Sequence, residues 1–370
     1  MLKSKKMLPI KTPARIGFLA FLGDQGGCGV LRTVTPYLLL NYLNLPKTPI
    51  HTQYFSQYIG DVNFYKNFSF IQFQRSATEK HLQIHRNFRK KIQTQHKIPL
   101  VYEIDDLLMD IPKWNFAHFY YKDNVHHIET MMRESDAIVV STHPLRKVYS
   151  KYNKNVKVVP NHLAKFIWGD IEPRHEKYKE GEKVRILWAG SQNHFKHSTM
   201  SHSPKGGDFG DKLMEFIKKT VDVYEWVFMG AMPMELEDIK DKIEFHGWQN
   251  TFEYPRYLKS LNADIGIAPL QKGLFNDCKS NIKALEFTAS GIPGVYSNVA
   301  PYNTMSLKCD TEEYMIDKIE TLANDIDLRR SICAKDYNTL KDQLWWEGDD
   351  NLKKYVNTYL GLMNRCLPTK

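Results

Sequence analysis

Short apolar runs, each followed by a longer stretch of helical period, recur along this chain in two series separated by a charged break. The first series comprises "RIGFLAFLG" (15–23), "FSFIQFQ" (68–74), "PLVYEID" (99–105), "DAIVVST" (136–142) and "VKVVPN" (156–161). Helix-like stretches at 78–95 and 125–135 lie between them. The second series runs "VRILWAGS" (184–191), "YEWVFMG" (224–230), "KIEFHG" (242–247), "ADIGIAPL" (263–270) and "IPGVYSN" (292–298), with helices expected at 208–220, 254–262 and 279–290. Apolar runs alternating with helical stretches are the pattern of a parallel sheet covered by helices. The expected fold class is therefore α/β, with two doubly wound, Rossmann-like units.

The break itself, "LAKFIWGDIEPRHEKYKEGEK" (163–183), is charged, contains Pro and Gly and lacks clean periodicity, as a linker does. It separates an N-terminal domain at 1–165 from a C-terminal domain at 180–340. A last segment at 341–370 includes "DQLWWEGDDNLKKYVNTYLGLM" (342–363), which predicts one long amphipathic helix with aromatic anchors. A chain of 370 residues exceeds one ordinary core and suits two. No apolar run approaches the roughly 20 residues that span a bilayer. The opening "MLKSKKMLPIKTPARIGFLAFLG" has lysines ahead of an apolar run, but Pro9, Pro13 and Arg15 interrupt it, and a first buried strand is expected there rather than a leader. Five cysteines without a CxxC pair argue against a disulfide framework or a structural zinc and suit a reducing cytoplasm.

Charge is unevenly placed. Residues 1–160 carry 23 Lys and Arg against 11 Asp and Glu, a balance of +12, whereas residues 161–370 carry 28 against 31, a balance of −3. The asymmetry suits a first half that meets a polyanion, or one with a plain solvated basic surface.

The segment "CKSNIKALEFTASGIPGVYSNVAPY" (278–302) concentrates the chemistry. On a helix, Lys279, Lys283, Glu286 and Ser290 share one stripe about 60° wide, while Ile282, Leu285 and Ala289 form the adjoining apolar stripe. The apolar stripe is expected to pack on the sheet and the polar one to look along the crevice where open α/β sheets bind ligands. A lysine at a helix N-terminus adds charge to amides already suited to phosphate. A carboxylate further along can accept from two ribose hydroxyls.

"KSNIKALEFTASGIPGVYSNVAPY" resembles the donor-site helix of the retaining glycosyltransferases of GT-B architecture, two facing Rossmann-like domains with a cleft between them. There a glutamate on this helix binds the nucleotide ribose, which assigns that role to Glu286. "FHGWQNTFEYPRYLKSLNADIGIAPL" looks like the family's F-x-G segment, which places Gly247, Trp248 and Gln249 against the base. "ILWAGSQNHF…KGGD" looks like its first C-domain strand, with phosphate contact at Lys205–Gly206. "DQGGCGVLR", with Gly26, Gly27 and Gly29, resembles its N-terminal glycine loop, and "WW" with the final helix resembles the segment crossing back to the first domain. The likeness including "VYEIDDLL" and "KSNIKALEF" extends to glycosyltransferases encoded by tailed bacteriophages. Two positions depart from the pattern: Cys278 stands where the family has a second glutamate, and Ser191 where it has an arginine. Lys279 and Lys283, beside Ser280, then take over neutralisation of the diphosphate.

Other candidates are Asp105 and Asp106, which end a strand. Adjacent carboxylates project to different sides, so a helix N-cap is expected of one before metal ligation, and the other can orient an acceptor hydroxyl or the sugar. The loop "GSQNHFKHSTMSHSPKGG" (190–207) holds His194, His197 and His202 without a fourth zinc ligand; it is expected to close over the diphosphate, with His194 as a catalytic candidate and Lys205 as a donor-binding one. His126 and His127 suit a helix surface, and His143 can face the cleft. The resemblance implies that cations replace a metal, so neither metal nor cofactor is expected. The implied reaction is glycosyl transfer from a nucleoside-diphosphate sugar, with UDP as the expected carrier. The expected partner is DNA carrying hydroxymethylated pyrimidines, approached by basic residues such as Arg86–Lys91, in the cytoplasm. A saccharide or lipid-linked acceptor, or binding without catalysis, are the alternatives.

Overall fold

A computed structural model of the chain describes residues 16–42, 50–196, 207–348 and 350–366. Twelve described strands form two six-stranded sheets, and every pairing between them is parallel. The first sheet holds β1 (Ile16–Leu22), β2 (Ile50–Phe55), β3 (Phe70–Gln74), β4 (Leu100–Ile104), β5 (Ala137–Val140) and β6 (Val156–Val158) in the order β2-β1-β3-β4-β5-β6. The second holds β7 (Arg185–Ala189), β8 (Glu225–Met229), β9 (Glu244–His246), β10 (Ile265–Ala268), β11 (Gly294–Ser297) and β12 (Lys308–Cys309) in the order β12-β11-β10-β7-β8-β9. Strand order reverses at β1/β3 in one sheet and at β7/β10 in the other. These are the two places where doubly wound sheets open a crevice at their carboxyl ends.

The central strands are buried on both faces, which is why they read as unbroken apolar runs: β3 and β4 have all five residues buried, and β5 and β10 all four. The edges read differently. Strand β2, "IHTQYF", buries only Thr52 fully, and β12 has two residues; neither carries an apolar run.

The last helix, Asn351–Cys366, lies on the first sheet. Leu352, Tyr355, Val356, Tyr359 and Leu362 share an apolar cluster with Phe18, Tyr37 and Phe70, and Tyr359 Oη donates to Gln72 Oε1 at 2.6 Å. The predicted single helix at 342–363 is in fact two. Helix Ile326–Leu344 stops, and the chain bends through Trp345 and Trp346 to a left-handed residue at Asp350, φ +63. Trp346 is the cause: it is 1% exposed, wedged against His162 and Tyr355, and a straight helix cannot deliver it there. Backbone bonds Leu163 N–Leu344 O and Trp346 N–Leu163 O, both 2.8 Å, fasten this bend to the start of the linker.

Two histidines in these cores set the response to acid. Burial pushes His85, beneath Phe73, and His162, against Trp346, down to about 4. Their folded-state pKa values lie below the unfolded value, so the neutral rings' contribution is complete above pH about 6.5 and is lost as pH falls toward about 4. Each is expected to cost about 2 kcal/mol of unfolding free energy between pH 7 and pH 5. Urea unfolding at the two pH values checks this: His85→Gln should remove its share of the difference, and an unchanged pH slope in that variant would refute the assignment.

Candidate active site

A cavity of about 320 Å³ lies between the two sheets and is lined from both. The first domain contributes Gly27 and Cys28 after β1, and Asp105 and Asp106 after β4. The second contributes Gly190, Ser191 and His194 after β7, Gly230 after β8, Trp248 beyond β9, and the segment Lys279–Glu286. The loops at both reversal points therefore meet in one space. Two glycines are dictated by close approach: a Cβ on Gly29 would lie 1.8 Å from the Asp24 carbonyl oxygen, and one on Gly230 would lie 2.3 Å from that of Gly190. Gly230 also has φ +93, which L side chains disfavour.

The segment 278–289 is only partly the helix expected of it. Regular helix begins at Ile282, so Lys279 and Ser280 stand in the loop before its first turn. Lys279 Nζ sits 4.7 Å from the centre of the Phe275 ring, and Ser280 Oγ accepts from Asn161 Nδ2 at 2.8 Å. Lys283 Nζ donates to Glu286 Oε2 at 2.6 Å, and Tyr254 Oη donates to the same oxygen at 2.9 Å. The i,i+3 pair is thus present, but with side chains 19% and 12% exposed in the cavity wall rather than on a solvated face. Ser290, placed on the same stripe by helical spacing, is 4% exposed and is not among the cavity-lining residues.

Cys278, at the position where the resemblance called for a glutamate, has no exposure. With Phe275 it enters the apolar cluster of the first sheet, and its carbonyl accepts from Thr142 Oγ1 at 2.9 Å. Burial pushes its thiol up to about 12. This position seals the seam between the domains. A second tie is a buried chain of bonds. Glu103 pairs with Arg32 at 2.7 Å, Arg32 donates to Asn161 Oδ1 at 2.8 Å, and Asn161 reaches Ser280. Strand β4 is thereby coupled to the loop that carries Lys279.

Asp105 and Asp106 do not diverge, and neither caps a helix. Both carboxylates turn onto one guanidinium, Arg75 Nη1 lying 2.9 Å from Asp105 Oδ1 and 3.3 Å from Asp106 Oδ2. Arg75 also donates to Tyr121 Oη at 3.1 Å and to Cys28 Sγ at 3.0 Å. It stands at the carboxyl end of β3 with φ +47, a conformation uncommon outside glycine, which the side chain's four partners hold in place. Burial pushes the Asp106 carboxyl up, but Lys279 across the cleft, Arg75 and His194 together hold it below the ordinary aspartate range.

His194 is fixed by Asp208, Nδ1 to Oδ2 at 2.8 Å. Asp208 is itself 5% exposed and accepts from Gln271 N at 2.9 Å and Asn276 Nδ2 at 2.8 Å. Burial pushes the imidazole pKa down and the Asp208 bond only partly offsets it. A neutral ring that donates from Nδ1 to a carboxylate keeps its lone pair on Nε2, the arrangement of an oriented proton acceptor.

Gly27, Asp105, Asp106, Ser191, His194, Trp248, Lys279, Ser280, Lys283 and Glu286 line the cavity; Gly26, Gly29 and Gly247 do not. Gly26 instead caps the helix start, its amide donating to Asp24 Oδ1 at 2.7 Å. Lys205, Gly206, His197 and His202 lie outside the described residues. His126 is on a helix surface beside His127, with ring centres 3.7 Å apart, and His143 is exposed outside the cavity lining. In the Arg86–Lys91 patch, Arg86 is paired with Glu134 at 2.8 Å and Arg89 donates to the Glu134 carbonyl, leaving Lys90 and Lys91 exposed. Arg75, Tyr254 and Asp208 also hold the site together, though no motif in the sequence marks them. Among the described residues no group of three or more His, Cys, Asp or Glu is placed to hold a metal ion, and no helix is long and apolar enough to cross a membrane.

No family model and no curated protein matches this sequence. Solved structures do match its shape. A glycosyltransferase from Rickettsia africae ESF-5 superposes with a TM-score of 0.61 at 11% identity, over 94% of this chain and 99% of that one. The fold is GT-B. TarM aligns with a TM-score of 0.54 at 15% identity over 82% of this chain, which spans 57% of TarM's length. The N-terminal domain of a Candida albicans trehalose-6-phosphate phosphatase gives 0.51 at 11% identity, with 98% and 99% coverage. At these identities the GT-B likeness concerns the arrangement of two Rossmann-like domains about a cleft.

Proposed function

We propose that this chain is a glycosyltransferase that moves a sugar from a nucleoside diphosphate to a hydroxyl acceptor. The observation that carries the proposal is the grouping of Lys279, Lys283 and Glu286 in one wall of the cleft, with His194 from the same domain and Asp106 facing them from the first domain. Departure of a diphosphate is an electrostatic problem, and cations held in a partly buried cleft wall address it. Lys279 and Lys283 are the diphosphate ligands in this reading, Glu286 takes the ribose hydroxyls, and the exposed Trp248 offers a face to the base. UDP is the proposed carrier and retention the proposed stereochemistry, both from the motif resemblance at 279–302. Asp106 orients the acceptor hydroxyl, with His194 Nε2 as the neighbouring proton acceptor.

The proposed acceptor is DNA bearing hydroxymethylated pyrimidines, supported by the +12 balance of residues 1–160 and by the phage likeness. A base would have to leave the duplex to reach the cleft. Affinity for duplex DNA should then fall log-linearly as salt rises, and a flat salt response in a filter or anisotropy titration would remove this acceptor. The deciding assay for the whole reading combines the protein, a panel of sugar nucleotides and modified or unmodified DNA, read by mass spectrometry of the digested nucleosides. An added sugar on the modified base is the expected result. Donor cleavage to free sugar without DNA would support the transferase and leave the acceptor open, and no cleavage with any donor would reject it.

A further inference from the structure

Glu286 is more heavily engaged than a ribose-binding carboxylate should be. Its Oε2 accepts from both Lys283 Nζ, at 2.6 Å, and Tyr254 Oη, at 2.9 Å, with Lys283 and Tyr254 themselves 3.3 Å apart. A carboxylate oxygen has two lone pairs, so Oε2 is saturated. A vicinal diol offers two hydroxyl protons and is best received by both carboxylate oxygens at once. In the observed arrangement one of those acceptors is taken.

We propose that Lys283 makes the nucleoside and diphosphate subsites interdependent, so that the cleft selects an intact nucleoside diphosphate over a nucleoside. This rests on the sugar-nucleotide reading of the same cleft. Lys283 is a point charge on a flexible stem, and a diphosphate gives it a more highly charged partner than Glu286. When Nζ moves to phosphate, Oε2 keeps only the Tyr254 bond, and a lone pair is released to the ribose. A nucleoside without phosphates must bind a half-occupied carboxylate or break the ion pair without replacement. Tyr254 is then a positioning residue: its ring meets Trp168 edge-on at 6.1 Å, and its hydroxyl holds Glu286 still while Lys283 changes partner. Burial and the Glu286 charge keep that hydroxyl protonated, hence a donor throughout.

Calorimetry on the full chain tests this. The nucleoside diphosphate that binds is first found among UDP, CDP, GDP and ADP. The matching nucleoside is then titrated alone and with saturating inorganic pyrophosphate. Pyrophosphate should tighten nucleoside binding by about 5-fold or more, and by reciprocity the nucleoside should tighten pyrophosphate equally. In Lys283→Met the coupling should vanish, with nucleoside alone binding at least as well as to the parent and the diphosphate about 10–100-fold more weakly. Tyr254→Phe leaves one Oε2 lone pair free before any phosphate binds, so the coupling should shrink there as well. Pyrophosphate that leaves nucleoside affinity unchanged or lowers it in the parent protein, or coupling that survives in Lys283→Met, would overturn the proposal even if the diphosphate binds. Failure of every nucleoside diphosphate to bind would instead bring down the sugar-nucleotide reading, and this inference with it. The parent titration decides alone should Lys283→Met not fold.

Discussion

Lys279→Met is expected to lower kcat/KM for the sugar-nucleotide donor by about 10²–10³-fold, the loss typical of removing one preorganised charge-stabilising donor, while hardly moving Tm. The asymmetry follows from what the side chain touches. Among the described residues Lys279 has no carboxylate within ion-pair distance, and its ammonium rests over Phe275 at 4.7 Å, an interaction of about 0.5–1 kcal/mol. Methionine keeps most of the stem that packs there. What it removes is the positive charge facing Asp106 and the proposed leaving group. A steady-state comparison with a thermal melt checks both halves. A fall of less than about 5-fold with unchanged stability would show that the diphosphate is neutralised elsewhere. Lys283→Met is a poorer test of the same point, because it also strips Glu286 of its cation in a wall that is less than one-fifth exposed.

That difference between two lysines four residues apart was not legible in the sequence, and the reason is local. Helical spacing puts Lys279 and Lys283 on one stripe, but the helix starts at Ile282, so Lys279 is aimed by a loop and by Asn161 acting through Ser280. The central strands were legible because they are buried on both faces; the edge strands β6 and β9 were also found, whereas β2 and β12 were missed because β2 carries no apolar run and β12 has only two residues. Glu286 was legible from its place ahead of Gly291–Ile292–Pro293 and the buried strand that follows. Tyr254 and Asp208 were not, since each is tied to its partner only by tertiary packing. Cys278 stood out in the sequence only as a departure from a motif; that its side chain joins the apolar cluster of the first sheet is set by tertiary packing.

Arg75 shows most clearly what sequence spacing cannot supply. Two adjacent aspartates on an extended segment point apart, and the turn after β4 brings them together only because a guanidinium delivered from β3 offers donors to both. Arg75→Met removes that shared partner and leaves two neighbouring carboxylates to repel each other in a partly buried site. The expected cost is about 3 kcal/mol, the low end for an orphaned buried charge because the Asp106 side chain is still 25% exposed. The left-handed backbone adds nothing to this difference, as methionine is no worse there than arginine. The pH dependence separates an electrostatic role from a merely structural one. With Arg75 present the Asp106 carboxyl lies below its ordinary range, so its stabilising ionised form persists until pH falls through that depressed value. Without Arg75 burial is opposed by less positive charge, the pKa rises, and the acid limb of the kcat/KM profile should move to higher pH. The stability deficit should likewise shrink on acidification, as protonation relieves the repulsion. Arg75→Lys restores the charge without the fork and should recover the pH profile more than the stability. An acid limb that stays in place in Arg75→Met would mean that Arg75 only buttresses the fold, and would remove Asp106 from the proposed chemistry.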